Sequence, residues 1–462
     1  MNQNNISATE LFQRVRELLT LPDLEPKTRN KMMHDTLILC CHEGVKDTKQ
    51  AFGNLFSQVD YLCKARGIKV ADKIAIQTMR RHSNSQEPLS GEDLKYDARA
   101  LTLFISAVFE ERIPHEVNVL IPHINRPFQK GLEINNRRIR CIVKNWDSDF
   151  IRVDIDQDAD EEEYLVRLKD EENHIDHTYL WDLLKEGMQL NLLDCQVKQP
   201  IITPRLIVVE PDYLVDISSI ATCFTAFGHH PLLYLLNLMK PRANTQATLL
   251  GNFAGAALDD IINSHGKYQV NETVKSNFRE KALEFCTCPW FDAKKFYTDA
   301  NLQAFNLQQV VDILFPRTAS QAKMSAFRGE SLYDRKKAIL EPSFVCEALG
   351  IQGRVDLMTT DCKLLVEQKS GRNMNIETHQ VDPAYHSYQL EPHYVQLLLY
   401  YGVLQHNFKL SNDRVNIRLL YSKYQPQDGL MVVAYYQKLF KEAIEYRNQL
   451  VAASFEIAKE GF

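Results

Sequence analysis

The chain has no run of about eighteen apolar residues and no charged-then-apolar leader at its N-terminus. The expectation is therefore a cytoplasmic protein with no membrane partner. Positive charge is not in excess: the formal net charge is -6, so a nucleic-acid surface has to be a local patch. Cysteines at metal spacing are missing too. The ten cysteines include two close pairs, Cys40-Cys41 and Cys286-Thr287-Cys288, and neither has a second pair at zinc spacing. They read as buried free thiols. No G-x4-G-K-S/T phosphate loop occurs, so the chain carries no nucleotide-driven motor of its own.

What is present is a soluble-type composition over 462 residues, long enough for two or three domains. Residues 1–112 read as helical, with Leu11, Val15, Leu18 and Leu19, and then Phe52, Leu55, Phe56, Val59 and Leu62, at helical spacing. Within them Lys64, Arg66, Lys69, Lys73, Arg80 and Arg81 face the lone acid Asp72, either as a solvated helix face or as a phosphate contact. Residues 83–93 are polar and read as a loop. From 113 to 205 short β-like segments follow (His115–Pro122, Arg138–Lys144, Phe150–Ile155, Tyr164–Leu168), which suggests a small β-rich domain of OB type. The acidic run from Asp156 to Glu163 has Glu161 where a calcium loop needs glycine, and reads as a solvated loop.

The third region, 206–462, is α/β. A strand at Leu206–Val209 leads through a Pro211-Asp212 turn to a helix capped at Ser218-Ser219, then to an amphipathic helix at Leu249–Asn263 and a helical insertion over 265–330. Arg317, Lys323, Arg328, Arg335, Lys336 and Lys337 form a basic stretch just ahead of a strand near 338–346. Gly353–Met358 and Leu364–Gly371 then read as a β-hairpin turning at Asp361-Cys362. That register sets Met358 opposite Leu365 and Asp356 opposite Glu367, with Lys369 on the same face two residues on. A helix over 391–405, a strand at Val415–Tyr421 and a helix from Val433 complete the region.

Two carboxylates opposed at that distance repel and raise a carboxyl pKa, and a divalent cation removes the conflict. Oxygen ligands suit magnesium or manganese, which keep waters for chemistry. Lys369 is then placed to orient an attacking water or to stabilise charge on a phosphorus centre. Taken alone, this spacing fits a buried ion pair equally well.

The context adds a specific likeness. Glu367-Gln368-Lys369 after Gly353-Arg354-Val355-Asp356 resembles motifs of the PD-(D/E)XK nuclease superfamily, and Gln396 and Tyr400 on the helix from His393 resemble the Q-x3-Y motif of its RecB-like branch. Within that branch the chain is most similar to the nuclease domain of replication and repair helicase–nucleases, over about 206–455: Val209–Leu214, Ile220–Cys223, Gly350–Asp356 and Tyr446-Arg447-Asn448 carry the likeness. The resemblance implies a restriction-endonuclease-like core with a helical insertion. It implies Asp356, Glu367 and the main-chain carbonyl of Gln368 as ligands of magnesium or manganese, Glu341 as a further acid, and Lys369 as the catalytic lysine. Gln396 and Tyr400 would organise the site and the DNA strand, with His393, Arg372, Arg335, Lys336 and Lys337 as further DNA contacts.

Two departures stand out. The family carries a histidine in a G-x3-H motif, and reading from Gly251 puts Gly255 at that position; Asp259 or Asp260 would have to substitute, though both read as exposed helix acids. Many relatives hold an iron–sulfur cluster through one cysteine before the core and three after it. Here Cys223 has no cysteine after Cys362 to join it, so no cluster is expected. The implied function is a metal-dependent deoxyribonuclease cutting single-stranded ends or flaps in repair, recombination or replication, with a helicase motor in cis in a longer polypeptide or in trans. The alternative is a catalytically impaired DNA-binding or scaffold module of a repair complex. A restriction-type endonuclease is disfavoured by the Q-x3-Y helix.

Overall fold

The computed structural model describes residues 6–460 apart from 22–23, 49–51, 53, 86–90, 127–135, 157–162, 226–227, 241–243, 265–267, 373–390 and 411–414. The chain is mixed α/β with several sheets and divides into two compact units, residues 1–213 with 452–462 and residues 214–451. The expected helical and β-rich regions thus share one unit. Among the described residues no helix is long and apolar enough to cross a membrane.

The first unit opens with helices α1 (Ala8–Thr20), α2 (Pro26–Val45), α3 (Leu55–Ala65), α4 (Val70–Ser83) and α5 (Gly91–Phe109). Ser7 and Glu10 start α1 with a capping box, and Leu11, Val15 and Leu18 bury one face. Cys40, Cys41 and Cys63 lie in the same core, where burial pushes their thiols far up. Of the ten free cysteines, Cys286 is the exposed exception. The segment from His115 is not a strand but a helical turn, His115–Asn118, followed by more turn. Pro114 starts it by accepting from Asn118 N at 3.0 Å, and Val117 and Ile121 both bury while Val119 is exposed, whereas a strand would put all three on one face.

Strands β1 (Arg138–Trp146), β2 (Phe150–Ile155) and β3 (Tyr164–Arg167) form an antiparallel meander. Next, β4 (Gln189–Leu193) pairs with β1, and β6 (Ile201–Thr203) runs parallel to β3. Strand β4 continues into β5 (Gln196–Lys198), which pairs with β6, and β6 continues into β7 (Leu206–Val209), which pairs with β4. The two ends of the seven-stranded sheet are therefore the two arms of one kinked hairpin, and the sheet closes on itself around Ile139, Val153, Val166, Leu190 and Ile207. Leu206–Val209 belongs to this sheet, not to the second unit.

In the second unit, β8 (Val215–Asp216), β9 (Phe224–Thr225) and β10 (Gly228–His229) precede α6 (Leu232–Met239) and α7 (Gln246–Asn263). The helix after β8 is capped by Asp216, which accepts from Ser218 N at 3.0 Å, so Ser218 lies inside it. The insertion is helical as expected: α8 (Val270–Glu280), α9 (Ala293–Leu314) and α10 (Ala319–Phe327). The expected strand near 338–346 is two, β11 (Ala338–Leu340) and β12 (Ser343–Cys346), broken where Glu341 takes φ 48 ahead of Pro342. The expected Gly353–Met358 strand is broken as well, into β13 (Ile351–Arg354) and β14 (Leu357–Thr359), in different sheets. One sheet orders β8-β13-β12. The other orders β11, β14, β15 (Leu364–Lys369), β16 (Asn416–Tyr421) and β17 (Leu430–Val432). Strands β15 and β16 are parallel, their neighbours antiparallel.

Side chains of β15 alternate between two apolar surroundings. Leu364 and Val366 join Phe253, Ala257, Leu307 and Val311 of α7 and α9. Helix α11 (Glu391–Phe408) also packs on β15, burying Leu397, Leu398 and Val403. Helix α12 (Gln437–Glu460) locks this arrangement through Arg447. Its buried guanidinium donates to Gly350 O at 3.1 Å, and Val215 N donates to the same oxygen at 3.0 Å. Gly350 has φ +61, and a Cβ there would meet Arg447 Nη2 at 2.3 Å, so glycine is required on both counts.

Candidate active site

The hairpin register is the one read from the sequence: Leu357 faces Val366 and Met358 faces Leu365, which sets Asp356 against Glu367 just before β14 begins. The connection is looser than two residues, running Thr360–Lys363, with Cys362 in a positive-φ conformation and donating to Thr359 O at 2.8 Å. The break at Val355-Asp356 has a function of its own. It lets Asp356 turn Oδ2 onto Gln368 N at 2.5 Å while its carbonyl accepts from Glu341 N at 3.0 Å.

Glu367 is almost fully buried at 3% exposure. Its Oε1 accepts from Lys369 Nζ at 2.6 Å, and its Oε2 is buried without a hydrogen-bond partner. Burial, then the charge of Asp356, pushes this carboxyl up to about 8 against the pull of Lys369. Burial raises Asp356 as well. Lys369 Nζ also donates to Gln396 Oε1 at 3.0 Å, so the ammonium is held between strand and helix. One turn along α11, Tyr400 donates to Arg354 O at 2.6 Å, with its ring where a Cβ on Gly353 would come within 3.0 Å. The Gln368 side chain points to the opposite face, donating to Ser422 Oγ at 2.8 Å, which in turn donates to Gln303 of α9 at 2.7 Å.

The other expected site residues fare differently. Glu341 sits at the rim, paired with Arg354 at 3.0 Å. His393 contacts Tyr421 Oη at 3.0 Å, and burial and Lys369 hold its imidazole down to about 3, so it is neutral. Arg372 is exposed beyond the end of β15. Arg335 donates to Ile261 O and, at 2.6 Å, to Ile262 O, closing the C-terminal turn of α7, and Arg317 donates to Ser264 O. Lys337 pairs with Asp361 at 3.2 Å, and Lys336, Lys323 and Arg328 are exposed. The N-terminal basic stretch is largely neutralised inside its own unit. Lys73 reaches Asp60 at 2.5 Å, Arg80 reaches Asp156 at 2.6 Å, Lys64 reaches Asp60 at 3.4 Å, and Arg66 pairs with Glu110. Beyond Asp156, residues 157–162 of the acidic run lie outside the described residues.

Asp259 departs from its reading as an exposed acid. It is half-buried on α7, and burial together with the charges of Glu341 and Asp356 pushes its carboxyl up to about 7. Asp260 is the exposed one and accepts from Thr273. Gly251, Gly255 and Asp259 follow each other at one-turn intervals along one face, and a Cβ at Gly251 would stand 3.3 Å from Ser370 Oγ, just past the end of β15. The signal was present in the sequence: counted from Gly255 instead of Gly251, the fourth position on is Asp259. A Cβ at Gly255 would meet nothing within 4 Å.

The donor set suits a hard divalent cation. It offers carboxylate oxygens on Asp356 and Glu367, one of them buried and unpartnered, with both carboxyls raised chiefly by burial, and by the charge of Asp356 on Glu367 and of Glu341 on Asp356, a penalty that a cation would relieve. Among the described residues no three His, Cys, Asp or Glu side chains already stand together as a metal cage. Lys369 and Gln368 N engage the carboxylates instead. No protein-family model matches the chain, and none of the curated proteins matches it in sequence.

Proposed function

We propose that the second unit is a metal-dependent DNA nuclease of the PD-(D/E)XK superfamily, RecB-like branch. The single observation that carries the reading is Glu367: a buried carboxylate with one oxygen on Lys369, the other unpartnered, and Asp356 opposite. An isolated structural ion pair does not need a second acid or an orphaned oxygen, both of which destabilise the apo fold.

In this reading Asp356, Glu367 and the Gln368 carbonyl hold magnesium or manganese, with Asp259 and Glu341 as acids at the edge. A bound cation supplies charge that offsets the negative charge building on a phosphodiester during hydrolysis. Lys369, aimed by Glu367 and Gln396, orients the attacking water and donates to the non-bridging oxygen of the phosphate. Tyr400 fixes the approach of Arg354 and Asp356 to the hairpin. The closed barrel of the first unit has the strand order of an OB-type domain, a fold suited to single strands, which favours single-stranded ends or flaps as substrate. A helicase motor would act in cis or in trans.

Gly255 favours a second reading, a DNA-binding scaffold with an impaired site. Digestion of labelled single-stranded, flapped and duplex DNA with magnesium or manganese separates the two. Cleavage by the wild type, lost by at least about 100-fold in Asp356→Ala and Lys369→Ala, is expected. DNA binding with no cleavage in either metal would establish the scaffold instead.

A further inference from the structure

His229 ends the short β9–β10 hairpin and lies between two helices. Its Nε2 is 2.8 Å from Glu391 Oε2 in the first turn of α11, and its Nδ1 is 2.7 Å from Glu442 Oε1 of α12. Tyr446 of α12 donates to the His229 carbonyl at 3.3 Å, and the rings of Phe224 and Tyr446 pack against the imidazole. Phe224 pairs with His229 across the two strands, and Thr225 Oγ1 donates to Gly228 O at 2.7 Å.

Two ionised carboxylates only accept. An imidazole that bridges both carries a proton on each nitrogen, and is therefore the cation. Helix α11 is the element that carries His393, Gln396 and Tyr400, and Glu391 is five residues before the Gln396 that holds Lys369. A carboxylate in a helix's first turn is favoured by the helix dipole, which suits the position of Glu391 at the start of α11.

We infer that His229 is a positioning residue for the candidate site: its imidazolium ties Glu391 to Glu442, seats the first turn of α11, and so aims Gln396 at Lys369. This rests on the nuclease reading only for its consequence in catalysis; the clamp itself is a property of the fold. Every ionisable neighbour acts in one direction or is silent. Glu391 and Glu442 favour the cation and outweigh burial, lifting the imidazole above its ordinary 6.5. Tyr446 is pushed up to about 12 by burial and Glu442, and Cys223 to about 12 by burial, so both stay neutral across the range. His393 on α11 is neutral, and Glu445 adds further negative charge on α12. The tie is complete below the ordinary histidine range and is lost as pH rises through the raised value.

Hydrogen exchange on the full-length protein tests this. Peptides covering the first turn of α11 are followed in wild type, His229→Gln and Glu442→Gln, corrected for intrinsic exchange. At about pH 6.5 the turn should exchange at least about tenfold faster in His229→Gln, with Glu442→Gln between. As pH rises through the raised value, wild type should converge on the glutamine variant. In parallel, nitrogen-15 histidine spectra of wild type should show His229 predominantly doubly protonated at about pH 6.5, where an ordinary histidine is only half protonated. A neutral tautomer there, or equal exchange in all three proteins at that pH, overturns the clamp. In DNA cleavage the His229→Gln defect should fall on kcat, leave KM within about twofold, and shrink with rising pH. If the protein cuts no DNA in any metal while the exchange difference holds, the nuclease reading fails and the clamp stands. If cleavage is sound and exchange is unchanged, the reverse follows.

Discussion

Replacing Glu367 by glutamine should make the metal-free protein more stable at neutral and alkaline pH. The buried carboxyl titrates at about 8 in the fold against 4.5 for an ordinary glutamate. A raised acid pKa means that the folded chain binds the proton more tightly than the unfolded chain. The cost is therefore absent below about pH 4.5, grows as pH rises and is complete above about pH 8. At about 1.4 kcal/mol per decade, the ceiling is roughly 5 kcal/mol, most of which develops between about pH 5 and about pH 8. Glutamine has no such term. The charged contact with Lys369 is already contained in the value of about 8, so its loss is not a separate cost. The gain for Glu367→Gln at about pH 8 is thus at most about 4 kcal/mol, or up to roughly 8–16 °C for a unit of this size. Calorimetric scans of both proteins from about pH 5 to about pH 9, with and without magnesium, measure it directly. Wild type should approach the variant as pH falls, and at alkaline pH magnesium should stabilise wild type but not the variant. Parallel pH profiles, or an equal magnesium effect on both, would refute the assignment of Glu367 as the strained acid of a cation site.

Asp259→Asn should weaken manganese binding about tenfold by titration calorimetry, with Asp260→Asn as an unchanged control; equal affinity in both would remove Asp259 from the site. Gly350→Ala should cost about 3 kcal/mol or more, because a Cβ at φ +61 has to displace the buried Arg447 guanidinium; a thermal midpoint within about 2 °C of wild type would contradict that packing.

The local features of the site were legible in the chain because they depend on period and turn chemistry alone. Alternation in Leu364–Lys369 places Glu367 and Lys369 on one face, and the hairpin register follows from apolar pairs such as Met358 and Leu365. Gln396 and Tyr400 share a helix face by spacing. The use of the basic residues was not legible. Arg335 and Arg80 look alike in sequence, yet one closes a helix end and the other meets Asp156, and both partners are distant in the chain. Strand ends were illegible where a single residue changes sheet, as at Asp356, or turns the backbone, as at Glu341.

What the sequence by itself determined is the α/β class of the second unit and the facing of Asp356, Glu367 and Lys369 on the hairpin and of Gln396 and Tyr400 on the helix. These follow from interactions between residues within a dozen positions of each other, or within one helix. Tertiary structure alone decided that Asp259 is half-buried within reach of the charges of Glu341 and Asp356, that Gly350 must make room for Arg447, and that His229 spans Glu391 and Glu442. Each of those depends on which helix packs against which strand, and packing is set by the summed burial of many side chains over long sequence separations, not by any local pattern.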